Sequence, residues 1–148
     1  MVLRDMTERD AALEPFDALI GTWVTEATHP QLDAVVPGSV TFEWLVGGHF
    51  LVQRSHNDHE LFPDAICVIG APETGDGLVM EHFDSRGVRR TYGVSLADGV
   101  LRIWRDAPGF EQRFSAALGT DSFEGQWQLA RTPEEWKDDL RVVYRRRG

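Results

Sequence analysis

The stretch "EHFDSRGVRRTYG", residues 81–93, gathers one histidine, three arginines and a tyrosine with almost no apolar filler. On one face, such a set has obvious chemistry. His82 is a general acid/base candidate because imidazole changes charge near neutral pH, and a neighbouring arginine favours its neutral form. Arginines beside it would favour an anionic or carbonyl-bearing group on a ligand. Whether these groups share a face is a question of strand register, since a slip of one residue reverses every side chain.

Three hairpins set that register. In "FDSRGV", Asp84 and Gly87 suit a type I turn that ends in a left-handed glycine. The three-residue loop pairs Asp84 with Val88, His82 with Arg90, Met80 with Tyr92 and Leu78 with Val94. In "LADGVL", Asp98-Gly99 signals a type I′ turn. It pairs Ala97 with Val100, Leu96 with Leu101, Val94 with Ile103 and Tyr92 with Arg105. The opposite face then sets Trp104 over Gly93. Together these turns put His82, Arg90, Tyr92 and Arg105 on the buried face with Leu78, Met80, Val94, Leu96, Leu101 and Ile103, while Glu81, Arg89 and Thr91 face out.

A Gly47-Gly48 turn in "FEWLVGGHFLVQR" pairs Val46 with His49, Trp44 with Leu51, Phe42 with Gln53 and Val40 with Ser55, on a face expected to be buried. Glu43, Arg54 and His56 fall on the other. Gln53 is then a polar group among aromatic neighbours, and it needs a hydrogen-bond partner in protein, water or ligand. The candidate ligand-binding set is therefore Phe42, Trp44, Gln53, Met80, His82, Arg90, Tyr92 and Arg105. Aromatic and aliphatic walls with a few convergent polar groups are the usual composition of a small-molecule site. The alternative is a filled barrel whose inward arginines pair with carboxylates or carbonyls near the rim.

These residues need a scaffold, and turn signals every eight to twelve residues, "PGS", "DAPG" and "TPEE" among them, supply one. About ten strands are predicted, over 22–28, 39–46, 49–56, 64–70, 78–84, 88–96, 100–106, 110–117, 122–130 and 139–146. Short connections make an antiparallel up-and-down β-barrel the economical all-β fold, because closure removes exposed edges. A sandwich is the alternative. "TERDAALEPFDALIG" predicts a short N-terminal helix with Thr7 as N-cap, Pro15 as a first helical residue and Gly21 as its stop. Its apolar side, Phe16, Leu19 and Ile20, would close one end of the barrel.

Composition narrows the function classes. The 148 residues suit one domain, 1–148, with a single core, and 42% of them are hydrophobic without any run of membrane-spanning length. A charged N-terminus, "MVLRDMTERD", lacks a signal-peptide core and makes a cytoplasmic location the expectation. Net charge −9 and a pI of 4.9 argue against a nucleic-acid partner. The single cysteine, Cys67 in "DAICVIG", excludes an internal disulfide and reads as a small buried hydrophobe. "HNDHE", residues 56–60, has metal-ligand types at a spacing that matches no standard zinc motif, and reads as a solvated loop. "GAPETGDG" lies between two strands, so no helix N-terminus is available to hold a phosphate. Glu43 and Glu81 both face out, which argues against a carboxylate acid/base pair.

"LIGTWVTEA" carries Gly-x-Trp at the first strand and resembles the opening signature of the calycin superfamily, the lipocalins and their relatives. The resemblance implies a tryptophan at the closed end, Trp23, crossed by an arginine of the last strand, with Arg145 of "VVYRRR" as the candidate. "EWLVGGHFLVQR", "HFDSRGV", "RIWRDAPGFEQRF" and "EEWKDDLRVVYRR" resemble a family of small bacterial lipocalin-like proteins of unassigned function. Nitrobindins, distantly similar ten-stranded haem barrels, ligate iron through a histidine near the C-terminus; here the last histidine is His82, so no haem or other cofactor is expected. The resemblance implies the barrel fold and says little about function; it is the interior set that predicts a small hydrophobic or amphipathic ligand, mostly apolar with a polar or acidic head. The alternatives are an isomerase or cyclase that moves a proton with His82 or Tyr92, and a ligand-free interaction protein, such as a homodimer through Trp104.

Overall fold

A computed structural model describes residues 11–148. After a 3-10 helix at Ala11–Leu19 come ten strands: β1 (Gly21–His29), β2 (Leu32–Trp44), β3 (Leu51–Asn57), β4 (Ala65–Gly70), β5 (Leu78–Asp84), β6 (Arg89–Ala97), β7 (Val100–Arg105), β8 (Glu111–Ala117), β9 (Ser122–Ala130) and β10 (Trp136–Arg146). Each pairs antiparallel with its neighbours in sequence, and β10 returns to β1, so the sheet is a closed up-and-down barrel. Among the described residues, no helix is long and apolar enough to cross a membrane.

The expected registers largely hold. His82 pairs with Arg90, Met80 with Tyr92 and Leu78 with Val94. The Asp84 amide donates to Val88 O at 3.0 Å, and Gly87 takes φ 83°. Asp98 and Gly99, at φ 54° and 73°, form the left-handed pair that a type I′ turn requires. Gly93 opposes Trp104, and a Cβ at Gly93 would sit 2.3 Å from the indole, so only glycine allows that stacking. The β6–β7 ladder stops at this pair, one short of the expected Tyr92–Arg105 contact.

Several expectations need correction. Phe42↔Gln53 and Trp44↔Leu51 are as expected, but the loop after Trp44 is longer than Gly47-Gly48. Pairing ends where the Leu45 amide donates to Phe50 O at 2.8 Å, leaving Val46 in the loop and 94% exposed. "PGS", read as a turn, lies inside β2; Gly38 is needed there because a Cβ would meet His56 O at 2.3 Å. β2 therefore starts at Leu32, after a turn at Pro30–Gln31. β10 starts three residues earlier than expected and absorbs a bulge between Asp138 and Arg141. Pro15 falls within the helix rather than at its first position, and Thr7 lies outside the described residues.

The helix plugs one end through Leu13, Phe16 and Leu19, all buried against Trp23 and the lower barrel. The Trp23 indole N–H donates to Leu19 O at 2.8 Å. Arg146, rather than Arg145, crosses this ring, with its guanidinium carbon 4.1 Å from the ring centre. The register explains the correction: Arg146 opposes Trp23 on the inner face, whereas Arg145 opposes Val24 outside and pairs with Glu26 at 3.3 Å. Arg146 also donates to Ile20 O at 2.7 Å, Ala18 O at 2.8 Å and Thr120 O at 3.1 Å. Removing it strands carbonyls at the helix end, and Arg146→Ala is expected to cost about 2 kcal/mol in urea unfolding. Arg145→Ala, which loses an exposed ion pair, should cost no more than about 0.5 kcal/mol.

Candidate functional site

The plug leaves the other end of the barrel, where the hairpin loops at 58–64, 85–88, 106–110 and 131–135 gather, as the place for an opening. Inward side chains shrink toward that end. Along β1 they run Trp23, Thr25, Ala27; along β3, Leu51, Gln53, Ser55; along β4, Ile69, Cys67, Ala65. Ten strands also enclose a wider bore than the eight that side chains can just fill. The result is a cavity of about 430 Å³, walled by all six of the smaller residues together with Phe42, Met80, Phe114, Trp127 and Tyr144.

Six of the eight candidate residues line this cavity: Phe42, Gln53, Met80, His82, Arg90 and Tyr92. Trp44 does not; it packs against the core at the plugged end and donates its indole N–H to Asp17 at 2.9 Å. Arg105 does not either. Beyond the last β6–β7 pair its guanidinium turns to Phe110 O at 3.5 Å. Glu43 and Glu81 face out as expected, held by Arg54 and Thr91.

The mouth is polar and mostly paired. The Tyr92 hydroxyl donates to Gln112 at 3.1 Å, deep in the wall. His29 bonds Asp139 at 2.9 Å and accepts the Gln31 amide on its other nitrogen. His82 bonds Asp84 through Nε2 at 2.9 Å and contacts Cys67 Sγ through Nδ1 at 3.5 Å. Both lining histidines are thus engaged on both nitrogens. Of "HNDHE", His56 bonds Asp64 and His59 accepts the Leu61 amide. Among the described residues, no three metal-ligating side chains converge.

Asp84 is the electrostatic anchor. Its side chain is wholly covered, and Arg86 clamps it at 2.8 Å while the Arg86 and Val88 amides donate to it. The guanidinium first, with help from His82 and the two amides, holds its carboxyl well below the usual range despite burial. Burial, reinforced by the Asp84 charge, pushes the Cys67 thiol up to about 12. Burial likewise raises the Tyr144 phenol well above its ordinary value.

Three cations remain around Phe110. Arg90 and Arg131 lie 5.4 Å and 5.7 Å from its ring centre, and Arg105 reaches its carbonyl. No carboxylate among the described residues pairs with any of the three. The hairpin carrying Phe110 and Gln112 had no turn signal strong enough to set its register, so sequence reasoning missed both residues. Cys67, read as a small buried hydrophobe with a catalytic thiol as the lesser alternative, is buried in the core, and the β4–β5 register sets it beside His82.

No family model matches the chain, and no curated protein does. Among solved structures, Rv2717c from M. tuberculosis aligns with a TM-score of 0.67 at 15% identity, over 95% of this chain and 100% of that one. That likeness supports the barrel fold alone.

Asp84 yields a pH test. Its folded value lies below the unfolded one, so its stabilisation is complete above about pH 4 and is lost as pH falls toward the folded value. Asp84→Asn should lower stability at neutral pH and flatten the acid limb of a stability–pH curve. An acid limb identical to wild type would show that the carboxylate is not held as described.

Proposed function

We propose that this protein is a lipocalin-like binding barrel whose interior holds one small, largely apolar molecule, with an acidic head at the mouth. The observation that carries the reading is an apolar cavity of about 430 Å³ with a cation on its wall, Arg90, that no carboxylate among the described residues neutralises. A volume in the range of roughly 300–1,000 Å³, apolar walls and a few polar groups are what small-molecule sites share. A chain of net charge −9 has no general attraction for anions, so affinity for one has to be local. The mouth cluster is local.

Phe42, Met80, Phe114 and Trp127 take the apolar body. Arg90 takes the head, with Arg105 and Arg131 adding positive potential from the Phe110 loop. The Tyr92 hydroxyl donates to Gln112 and so has one acceptor position left to offer a protonated group.

The test compares a fluorescent alkyl carboxylate with the matching neutral alcohol. Wild type is expected to prefer the carboxylate, and Arg90→Gln to weaken it about tenfold or more, since a charge-assisted hydrogen bond is worth about 1.5–3 kcal/mol. The alcohol should change less than about twofold. Equal effects on both, or no binding of either, contradict the reading. Ala27→Phe, which fills the cavity where the wall residues are smallest, should abolish binding of both while leaving the barrel folded.

A further inference from the structure

Gln53 on β3, Cys67 on β4 and His82 on β5 lie directly opposite one another in a single row across three strands. All three line the cavity. Side chains so placed are immediate neighbours on one face. The hydrogen bonds define the imidazole. An ionised carboxylate only accepts, so the proton of His82 sits on Nε2 toward Asp84 at 2.9 Å. In the neutral imidazole Nδ1 then carries no proton and faces Cys67 Sγ at 3.5 Å, placed to accept from the thiol. Asp84 cannot swing away, because Arg86 and two backbone amides hold it. With both imidazole nitrogens engaged, the array meets the cavity at sulfur. On the far side of that sulfur, the Gln53 amide has no hydrogen-bond partner among the described residues.

We propose that Cys67 is a nucleophile that adds to an α,β-unsaturated carbonyl group on the molecule in the cavity, with His82 as its base and Gln53 as the donor to the carbonyl oxygen. The inference rests on the cavity being a ligand site. The sulfur lone pair forms the S–C bond at the β-carbon, and the thiol proton passes to His82 Nδ1. The carbon–carbon π pair moves into an enolate, whose oxygen the Gln53 amide N–H stabilises. The imidazolium, steadied by Asp84, then returns its proton to the α-carbon. The net change is addition of S–H across one double bond, with no leaving group, oxidant or further reactant.

Burial keeps the resting thiol protonated, so reaction depends on handing the proton across a short contact rather than on a standing thiolate. The titratable and charged groups facing His82 are Cys67 on β4, Asp84 and Arg86 at the turn, and Arg90 and Tyr92 on β6. Cys67 is the chain's one cysteine, so the site of labelling is unambiguous.

The test is intact-mass labelling with phenyl vinyl ketone and methyl vinyl ketone, each rate divided by that of free cysteine. Wild type should take one adduct, absent in Cys67→Ser, at a rate that rises as a histidine base loses its proton and then levels off. His82→Gln should slow it about a hundredfold near neutral pH. Gln53→Leu should slow it less. A wild-type rate that climbs about tenfold per pH unit well into the alkaline range marks an unaided thiol and overturns the proposal, without needing any variant to fold. So does the absence of an adduct, or a rate that His82→Gln leaves unchanged. A His82-dependent rate with no preference for the phenyl compound supports the thiol chemistry and overturns the apolar-ligand reading instead.

Discussion

Arg146 lying across Trp23 is the contact on which the architecture turns. A closed barrel has no edges, yet it has two ends, and both would admit water unless one is stoppered. Here the first and last strands meet at the ring and the guanidinium that covers it. The same two side chains bond the carbonyls of Ala18, Leu19 and Ile20, where a 3-10 helix runs out of internal partners. One contact thus seals the seam between β1 and β10 and pins the plug. It also decides polarity: with this end filled by large side chains, any hollow must lie toward the other.

The hollow itself follows from side-chain volume. Moving away from the plug, the inner faces of β1, β3 and β4 pass from Trp, Leu and Ile to Ala, Ser and Ala. The opposite wall stays large, with Phe114 and Trp127 in contact and Tyr92 edge-on to Trp127. The space is therefore lopsided: open against one wall, flat and aromatic against the other. At its rim Asp139 is bound to His29, and Asp84 to His82 and Arg86, while no carboxylate among the described residues pairs with the arginines round Phe110. Arg90 is thus a cation on the cavity wall with no carboxylate partner among the described residues.

Much of this was legible in the sequence where local rules are strict. Asp98-Gly99 is a turn that few other conformations compete with, and a three-residue loop after Asp84 sets His82, Arg90 and Tyr92 inward, whereas a loop of two or four residues would have reversed His82. The Gly47-Gly48 loop shows the limit. Two glycines marked the reversal and the register, but not that pairing would stop early and leave Val46 in solvent. "PGS" misled because a glycine demanded by close backbone approach looks the same as one demanded by a turn. Arg145 and Arg146 are neighbours in a run of three, and only the β1–β10 register distinguishes inside from outside. The cavity was less visible still. Each small inward residue is unremarkable alone, and their alignment at one level depends on pairing across several strands. Cys67 acquires its neighbours in the same way, from strands fourteen and fifteen positions distant.

The central claim is a hollow barrel that selects one amphipathic acid, and native mass spectrometry of the intact chain with a series of straight-chain carboxylates tests it most directly. The account predicts a single one-to-one adduct, lost on denaturation, that strengthens with chain length and then falls off once the tail outgrows the cavity. No adduct at any length would contradict it, as would several adducts that grow with chain length without saturating at one, because that is the behaviour of a surface and not of an enclosed site.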